Sequence, residues 1–193
     1  MKFIAHRINT IKELKKVPKE YGVEVDLRDF GDRLILQHDP FKNGEDFEEY
    51  LKHYDHGTII LNIKSERIEF RVIDLLIKYK VKDYFFLDSS FPMIYLLSEQ
   101  GEKNIALRFS EFEGLNTIMK MKGRVKWVWV DCFTKLPLTR ETYRSLSANF
   151  EICIVSPELQ ERSVKEIEQY KNLLKPFAVD AICTKRVELW LAD

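Results

Sequence analysis

Thr58-Ile59-Ile60-Leu61-Asn62-Ile63 is a short run that is apolar on both faces, and it reads as a buried strand. A strand without a polar face belongs in a parallel sheet covered by helices. The next stretch, roughly 66–80, carries apolar residues at helical spacing, so the local unit is strand then helix. The same unit recurs in both directions. Upstream, Phe3 to His6 is a short apolar run, and Thr10 with Glu13 forms a capping-box signature for a helix over Ile11 to Lys16. Gly22 to Arg28 follows as a strand, and a turn at Asp29 to Asp32 leads into the strand-like Leu34 to His38. Residues 45–54 have helical spacing.

Downstream the alternation continues. Tyr84 to Asp88 reads as a strand with a helix from about Pro92, and Asn104 to Phe109 as a strand with a helix beginning near Glu111. Trp127 to Asp131 is a strand, and Thr139 is placed to cap the helix after it. Glu151 to Val155 is a strand followed by helical spacing over Leu159 to Leu174, with Pro157 where a helix can start. Asp180 to Thr184 is the last strand, before a short helix around Val187 to Leu191. Eight strand–helix pairs predict a compact (β/α)8 TIM barrel forming one domain over residues 1–193. The alternative, a doubly wound open sheet, is disfavoured by the count of eight. It is disfavoured also by the absence of a Gly-rich phosphate loop after the first strand.

Bulk properties agree with one soluble domain. A chain of 193 residues supports one sizeable core and hardly two. With 7 glycines and 6 prolines it leaves little room for flexible linkers. Lysine plus arginine equal aspartate plus glutamate at 31 each, so no global field attracts nucleic acid, and any bound anion is held locally. The amino terminus reaches charged residues too early for a secretory core, and no apolar run is long enough to span a bilayer. Cys132, Cys153 and Cys183 lie in apolar segments at wide spacing, which predicts buried free thiols and a cytoplasmic location.

In such a barrel chemistry sits where the strands end. His6 and Arg7 end the first strand, and Glu24 and Asp26, two apart, share one side of the second. His38 and Asp39 end the segment after the turn, and Asn62 and Lys64 end the third barrel strand. Ser89, Ser90, Arg108, Asp131 and Thr184 end later ones. Two inward carboxylates in a low-dielectric interior need a positive partner. A divalent cation, Mg2+ or Ca2+ given hard oxygen donors, supplies one, with Arg7 and Lys64 sharing the role. A phosphodiester fits this arrangement, with two imidazoles to move protons. Plainer readings cover the other features. His53 and His56 read as parts of a solvated face, Trp127 and Trp129 as core, and Lys12 to Lys19 as the wet side of a helix.

These residues resemble the glycerophosphodiester phosphodiesterase family and, more loosely, the sphingomyelinase-D-like and phosphatidylinositol-phospholipase-C-like barrels. Ile4-Ala5-His6-Arg7 is similar to the family's opening Ala-His-Arg, and Val23-Glu24-Val25-Asp26 to its Glu-x-Asp metal strand. Leu36-Gln37-His38-Asp39 is similar to its His-Asp hairpin, and Leu61-Asn62-Ile63-Lys64 takes the place of its Glu-x-Lys. Ser90-Phe91 and Ala181-Ile182-Cys183-Thr184 match later segments. The resemblance implies His6 and His38 as the catalytic pair, Arg7 and Lys64 on phosphate, and Glu24, Asp26 and Asn62 around a divalent cation. It implies a small phosphodiester or phospholipid-derived substrate, cleaved by water or by a neighbouring hydroxyl to a cyclic phosphate.

The chain departs from the family pattern at Ile8 (usually Gly), at Asn62 (usually Glu), at Lys185 (often Asp) and in a loop shortened to Ile8-Asn9-Thr10 without its glutamate. The shortened loop predicts an open mouth that tolerates a bulky head group. A barrel that binds a phosphorylated ligand without turnover, and a metal-dependent sugar isomerase or epimerase, are the competing expectations.

Overall fold

The structure is a computed structural model, and residues 1–192 are described. Eight parallel strands follow one another around a curled sheet: β1 (Lys2–Ala5), β2 (Gly22–Phe30), β5 (Ile59–Ile63), β6 (Tyr84–Leu87), β7 (Ala106–Phe109), β8 (Trp127–Val130), β9 (Glu151–Val155) and β10 (Ala181–Thr184). Two short strands, β3 (Arg33–Leu36) and β4 (Glu45–Asp46), form an antiparallel flap on β2, turning at Gly31, whose φ is +64°. Seven of the eight junctions are hydrogen-bonded ladders, including β1 with β10. Between β6 and β7 the contact is one bridge, Phe86 to Ile105, with the Phe86 amide donating to the Asn104 carbonyl at 2.8 Å. The expected ring is thus a curled half-barrel sheet whose last two edges touch at a single point.

The helices alternate with the strands: α1 (Ile11–Leu14), α2 (Phe47–Leu51), α3 (Glu69–Lys78), α4 (Phe91–Glu99), α5 (Leu115–Lys120), α6 (Arg140–Ser147), α7 (Glu166–Leu174) and α8 (Val187–Leu191). Thr10 caps α1 by accepting from the Glu13 amide, and Thr139 forms a capping box with Thr142 on α6. The first three helices are shorter than the spacing predicts, Glu45 and Asp46 being strand and not helix, and two later ones start late. The α5 helix starts at Leu115 because Ser110 accepts the amides of Phe112 and Glu113 and holds residues 110–114 in a turn. The segment from Leu159 is broken at Glu161, whose φ of +58° ends a 3₁₀ turn over Pro157–Gln160, so α7 begins only at Glu166. No described helix is long and apolar enough to cross a membrane.

Strands β5, β8 and β10 are buried along their whole length and β2 over its first six residues, as their two-sided apolar sequence requires, whereas in β1 only Ile4 is buried. Phe85 of β6 stacks on Trp127 of β8 with ring centroids 4.5 Å apart, and the Lys2 ammonium lies 5.8 Å over the same indole. This layer fills the floor beneath the mouth. Gly22 is required where β2 starts: a Cβ there would stand 2.3 Å from the Thr58 carbonyl oxygen, so only glycine lets β5 approach this closely. That approach sets the register that pairs Asp26 with Asn62.

Candidate active site

Glu24 and Asp26 project from β2 with relative exposures of 1% and 0%. Buried carboxylates are costly unless donors surround them. Arg7 supplies one through its backbone. Its φ of +59° is strained for an arginine, and in this conformation its amide donates to Glu24 Oε2 at 2.7 Å. The Asn62 side-chain amide donates to Glu24 Oε1 at 2.8 Å. Asn9 clasps Asp26 twice, its amide donating to Oδ2 at 2.8 Å while its carbonyl accepts the Asp26 backbone N–H at 2.8 Å. The Arg7 guanidinium (Nε) lies 3.4 Å from Asp26 Oδ2, and the Lys64 ammonium 3.5 Å from Oδ1.

Burial first, and then the neighbouring Asp26, push Glu24 up to about 7 from 4.5. His6 lies beside this pair, its Nε2 3.7 Å from Glu24 Oε2. Burial, followed by the charges of Arg7, Lys185, Lys64 and His38, holds its imidazole down to about 3, so it is neutral at pH 7. Its Nδ1 is buried with no hydrogen-bond partner. His38 is carried by the loop after β3. The Arg28 guanidinium fixes that loop by donating to the His38 carbonyl at 3.0 Å, and Asp39 Oδ1 lies 2.9 Å from His38 Nδ1. The imidazole is half-exposed, with its Nε2 edge free of protein hydrogen bonds.

The sequence-predicted residues His6, Arg7, Glu24, Asp26, Asn62 and Lys64 come together on β1, β2 and β5. His38 stands apart from them, on the loop that follows β3. Lys64 extends the cluster to Asp88 at 3.6 Å. Asp88, at a φ of +62°, receives Arg108 through two hydrogen bonds of 2.6 and 2.9 Å. Arg108 also binds Asp131, which accepts from the Cys132 amide at 2.9 Å and from Gln160 at 2.6 Å. Arg108 is therefore held by two carboxylates through three of its five N–H groups. Thr184 is likewise occupied, donating to Glu158 at 2.6 Å.

Asn9, Asp88 and Gln160 were not singled out from sequence. Asn9 carried a faint signal, as the one amide in the short segment after His6-Arg7. Asp88 and Gln160 carried none, because their partners lie 20 or more residues away. His56 is not on a solvated face as expected: its imidazole is 4% exposed, with Nε2 3.1 Å from the Val17 carbonyl. Cys132, Cys153 and Cys183 are buried free thiols, as their apolar settings predict.

Among the described residues no group of three or more His, Cys, Asp or Glu side chains is arranged to hold a metal. Asn62 stands where the resemblance implies a third carboxylate, and it brings a neutral amide oxygen. The donor set still suits a hard cation. Asp26 Oδ1 and Asn62 Oδ1 are both buried without a hydrogen-bond partner, on residues paired across β2 and β5. Two carboxylates and an amide oxygen are ligands of the type Mg2+ and Ca2+ accept, with one charge fewer than three carboxylates would give.

Beside the cluster a groove of about 480 Å³ runs between the β1 and β10 exits, lined by His6, Arg7, Lys185, Val17 and Tyr21. It exists because α1 is a single turn and leaves the outer face of β1 half covered.

No family model matches the chain, and no characterised protein matches it by sequence. Solved structures do match. One is a glycerophosphodiester phosphodiesterase from Agrobacterium tumefaciens, 16% identical, with a TM-score of 0.71 over 100% of both chains. Another, described as a putative glycerophosphoryl diester phosphodiesterase from the same organism, is 14% identical, with a TM-score of 0.73 over 99% of this chain and 96% of that one. The chain has the fold of these glycerophosphodiester phosphodiesterase structures along its whole length, which supports the resemblance read from its His6-Arg7 and Glu24-x-Asp26 motifs.

Proposed function

We propose that this protein cleaves phosphodiesters at the mouth formed by β1, β2 and β5. The observation that supports the reading is one cluster in which a neutral buried imidazole, His6, stands beside a carboxylate pair that two cations flank. Arg7 and Lys64 bind the anionic diester, and the Asp26 charge between them fixes their positions. His6, unprotonated at pH 7, accepts a proton or attacks phosphorus through a lone pair. His38, held by Asp39 through Nδ1, gives its Nε2 proton to the leaving oxygen.

Glu24, Asp26 and Asn62 would hold a divalent cation, Mg2+ or Ca2+, which when bound supplies Lewis-acid polarisation of the phosphoryl group. The reduced ligand charge implies weak binding. The groove beside His6 accommodates the alcohol arm of the substrate, so bulky diesters are accepted as well as glycerol diesters.

A second reading is a barrel that binds a phosphorylated ligand without turnover. It is favoured by the internal donors that already occupy both Glu24 oxygens and Asp26 Oδ2, from Arg7, Asn62 and Asn9. A phosphodiester panel with Mg2+, Ca2+ or Mn2+, followed by phosphorus NMR, separates the two. Turnover by wild type that His38→Ala abolishes supports the enzyme, and the NMR distinguishes monoester from cyclic product. Calorimetric binding with no turnover under any metal establishes the binder.

A further inference from the structure

We propose that the groove beside His6 selects diesters whose alcohol arm ends in a second anion, a phosphate or a carboxylate, and that Lys185 is the residue that selects it. The inference rests on the phosphodiester reading for one step, that the arm lies in this groove. With about 480 Å³ the groove is of a size that holds small organic ligands.

The sheet places Lys185. Strands β1 and β10 run parallel in a register that pairs Ala5 with Thr184, and the His6 amide donates to the Thr184 carbonyl at 3.0 Å. Lys185 therefore leaves β10 beside the residue that carries the candidate base. Its backbone is anchored. The Lys185 amide donates to Glu158 Oε1 at 3.0 Å, the Thr184 hydroxyl donates to the same oxygen at 2.6 Å, and the Arg186 amide donates to that hydroxyl at 2.8 Å. The side chain is exposed, and its ammonium has no ion pair among the described residues.

The rest of the lining agrees with an anionic guest. Lys16, just after α1, lines the same groove and is likewise exposed without an ion pair among the described residues. The two acids of the lining are engaged: Glu13 Oε2 accepts the Thr10 hydroxyl at 2.8 Å, and Glu188 Oε1 lies 3.5 Å from Arg186 Nη1. Arg7 lies 3.4 Å from Asp26 and is assigned to the diester itself. Lys185 and Lys16 are thus the uncommitted charges, while Val17 and Tyr21 offer apolar surface to the carbon chain of an arm.

A lone exposed lysine attracts a free anion weakly, since water and salt compete. An anion tethered to a diester already held at Arg7 arrives at high effective concentration, so a modest attraction becomes selectivity. The family resemblance often puts an aspartate where this chain has Lys185. That aspartate would repel the arm that the lysine attracts.

The test uses three glycerol phosphodiesters whose second arm is propyl, 3-carboxypropyl or 3-phosphooxypropyl. Both kcat/KM and the calorimetric Kd are measured for wild type, Lys185→Glu and Lys185→Arg. Wild type should prefer at least one anionic arm over propyl by about tenfold, mainly through KM, and the preference should narrow at about 0.5 M salt. Which arm is preferred names the anion. Lys185→Arg should keep the preference, and Lys185→Glu should abolish or invert it. A preference seen in Kd without turnover would sustain the inference and sink only the enzymatic reading. Turnover of all three diesters at equal kcat/KM would sink the inference and leave the enzymatic reading standing. A Lys185→Glu variant that loses affinity equally for all three arms overturns it too, and a wild type that binds none of them overturns both.

Discussion

Asn62 donates its side-chain amide to Glu24 Oε1 across 2.8 Å, and this bond decides which way its own carbonyl oxygen points. That oxygen is left buried without a donor, as is Oδ1 of Asp26, the residue opposite it on the neighbouring strand. The juxtaposition locates both the strength of the site, two free acceptors, and its weakness, a missing charge.

Restoring that charge should tighten cation binding. Asn62→Asp is expected to raise affinity for Mn2+ or Ca2+ by about tenfold or more. In chelator it should lower stability by about 1–3 kcal/mol, since three acidic groups would then share one buried site. Titration calorimetry and urea unfolding in EDTA measure the two effects. An unchanged cation affinity would remove Asn62 from the ligand set.

Two groups in the cluster impose opposite pH dependences on folding. Glu24, raised to about 7, binds its proton more tightly folded than unfolded, so its contribution is present at low pH and is lost between 4.5 and about 7. His6, lowered to about 3, contributes above 6.5, and its contribution is lost as pH falls from 6.5 towards 3. Each is worth on the order of 3–5 kcal/mol by the usual conversion, so they oppose each other over the range in which both titrate. Urea midpoints of metal-free wild type should be nearly level from about pH 4.5 to 6.5. Glu24→Gln should leave a midpoint that climbs with pH across that window. A level profile in the variant would show that His6 does not shed its proton on folding in that window, and a wild-type midpoint that climbs as the variant's does would show that Glu24 does not titrate there.

Lys64 is the only cation that reaches both Asp26 and Asp88 among the described ion pairs. Lys64→Met should lower kcat/KM on a soluble diester by about 10²-fold, the usual scale for removing one charge-stabilising donor. Asp88→Asn keeps the ammonium but loosens its position, for an expected loss of about tenfold. Steady-state kinetics with both variants checks the order. Equal rates for Lys64→Met and wild type would take Lys64 out of the site.

Asp131 should matter for stability and hardly for chemistry. It is buried at 1% exposure and accepts from Cys132, Gln160 and Arg108, and it makes no ion pair with Arg7 or Lys64 among the described residues. Asp131→Asn leaves Arg108 short of a partner and should cost about 3 kcal/mol of folding free energy, with kcat/KM within about threefold of wild type. A large loss of activity with unchanged unfolding would reverse that assignment.

Much of the molecule is legible along the chain. Two-sided apolar runs such as Ile59–Ile63 mark each parallel strand, and capping residues such as Thr10 and Thr139 mark helix starts. The proximity of Glu24 with Asp26, and of Asn62 with Lys64, at one end of the sheet is legible for a like reason: residues two apart on a strand share one face. The breaks at Ser110 and Glu161 were not legible. Each depends on a local backbone state, a side-chain-capped turn or a left-handed residue, that apolar periodicity does not encode.

Sequence alone determined the order of the strands and the identity of the inward polar residues, because periodicity and burial are local properties. Tertiary structure alone decided who partners whom. Asn9 reaches Asp26 across 17 positions, Asn62 reaches Glu24 across 38, and Arg108 reaches Asp88 across 20 and Asp131 across 23. Pairings of that kind follow from sheet register and curvature, which bring side chains distant in the chain within hydrogen-bond range.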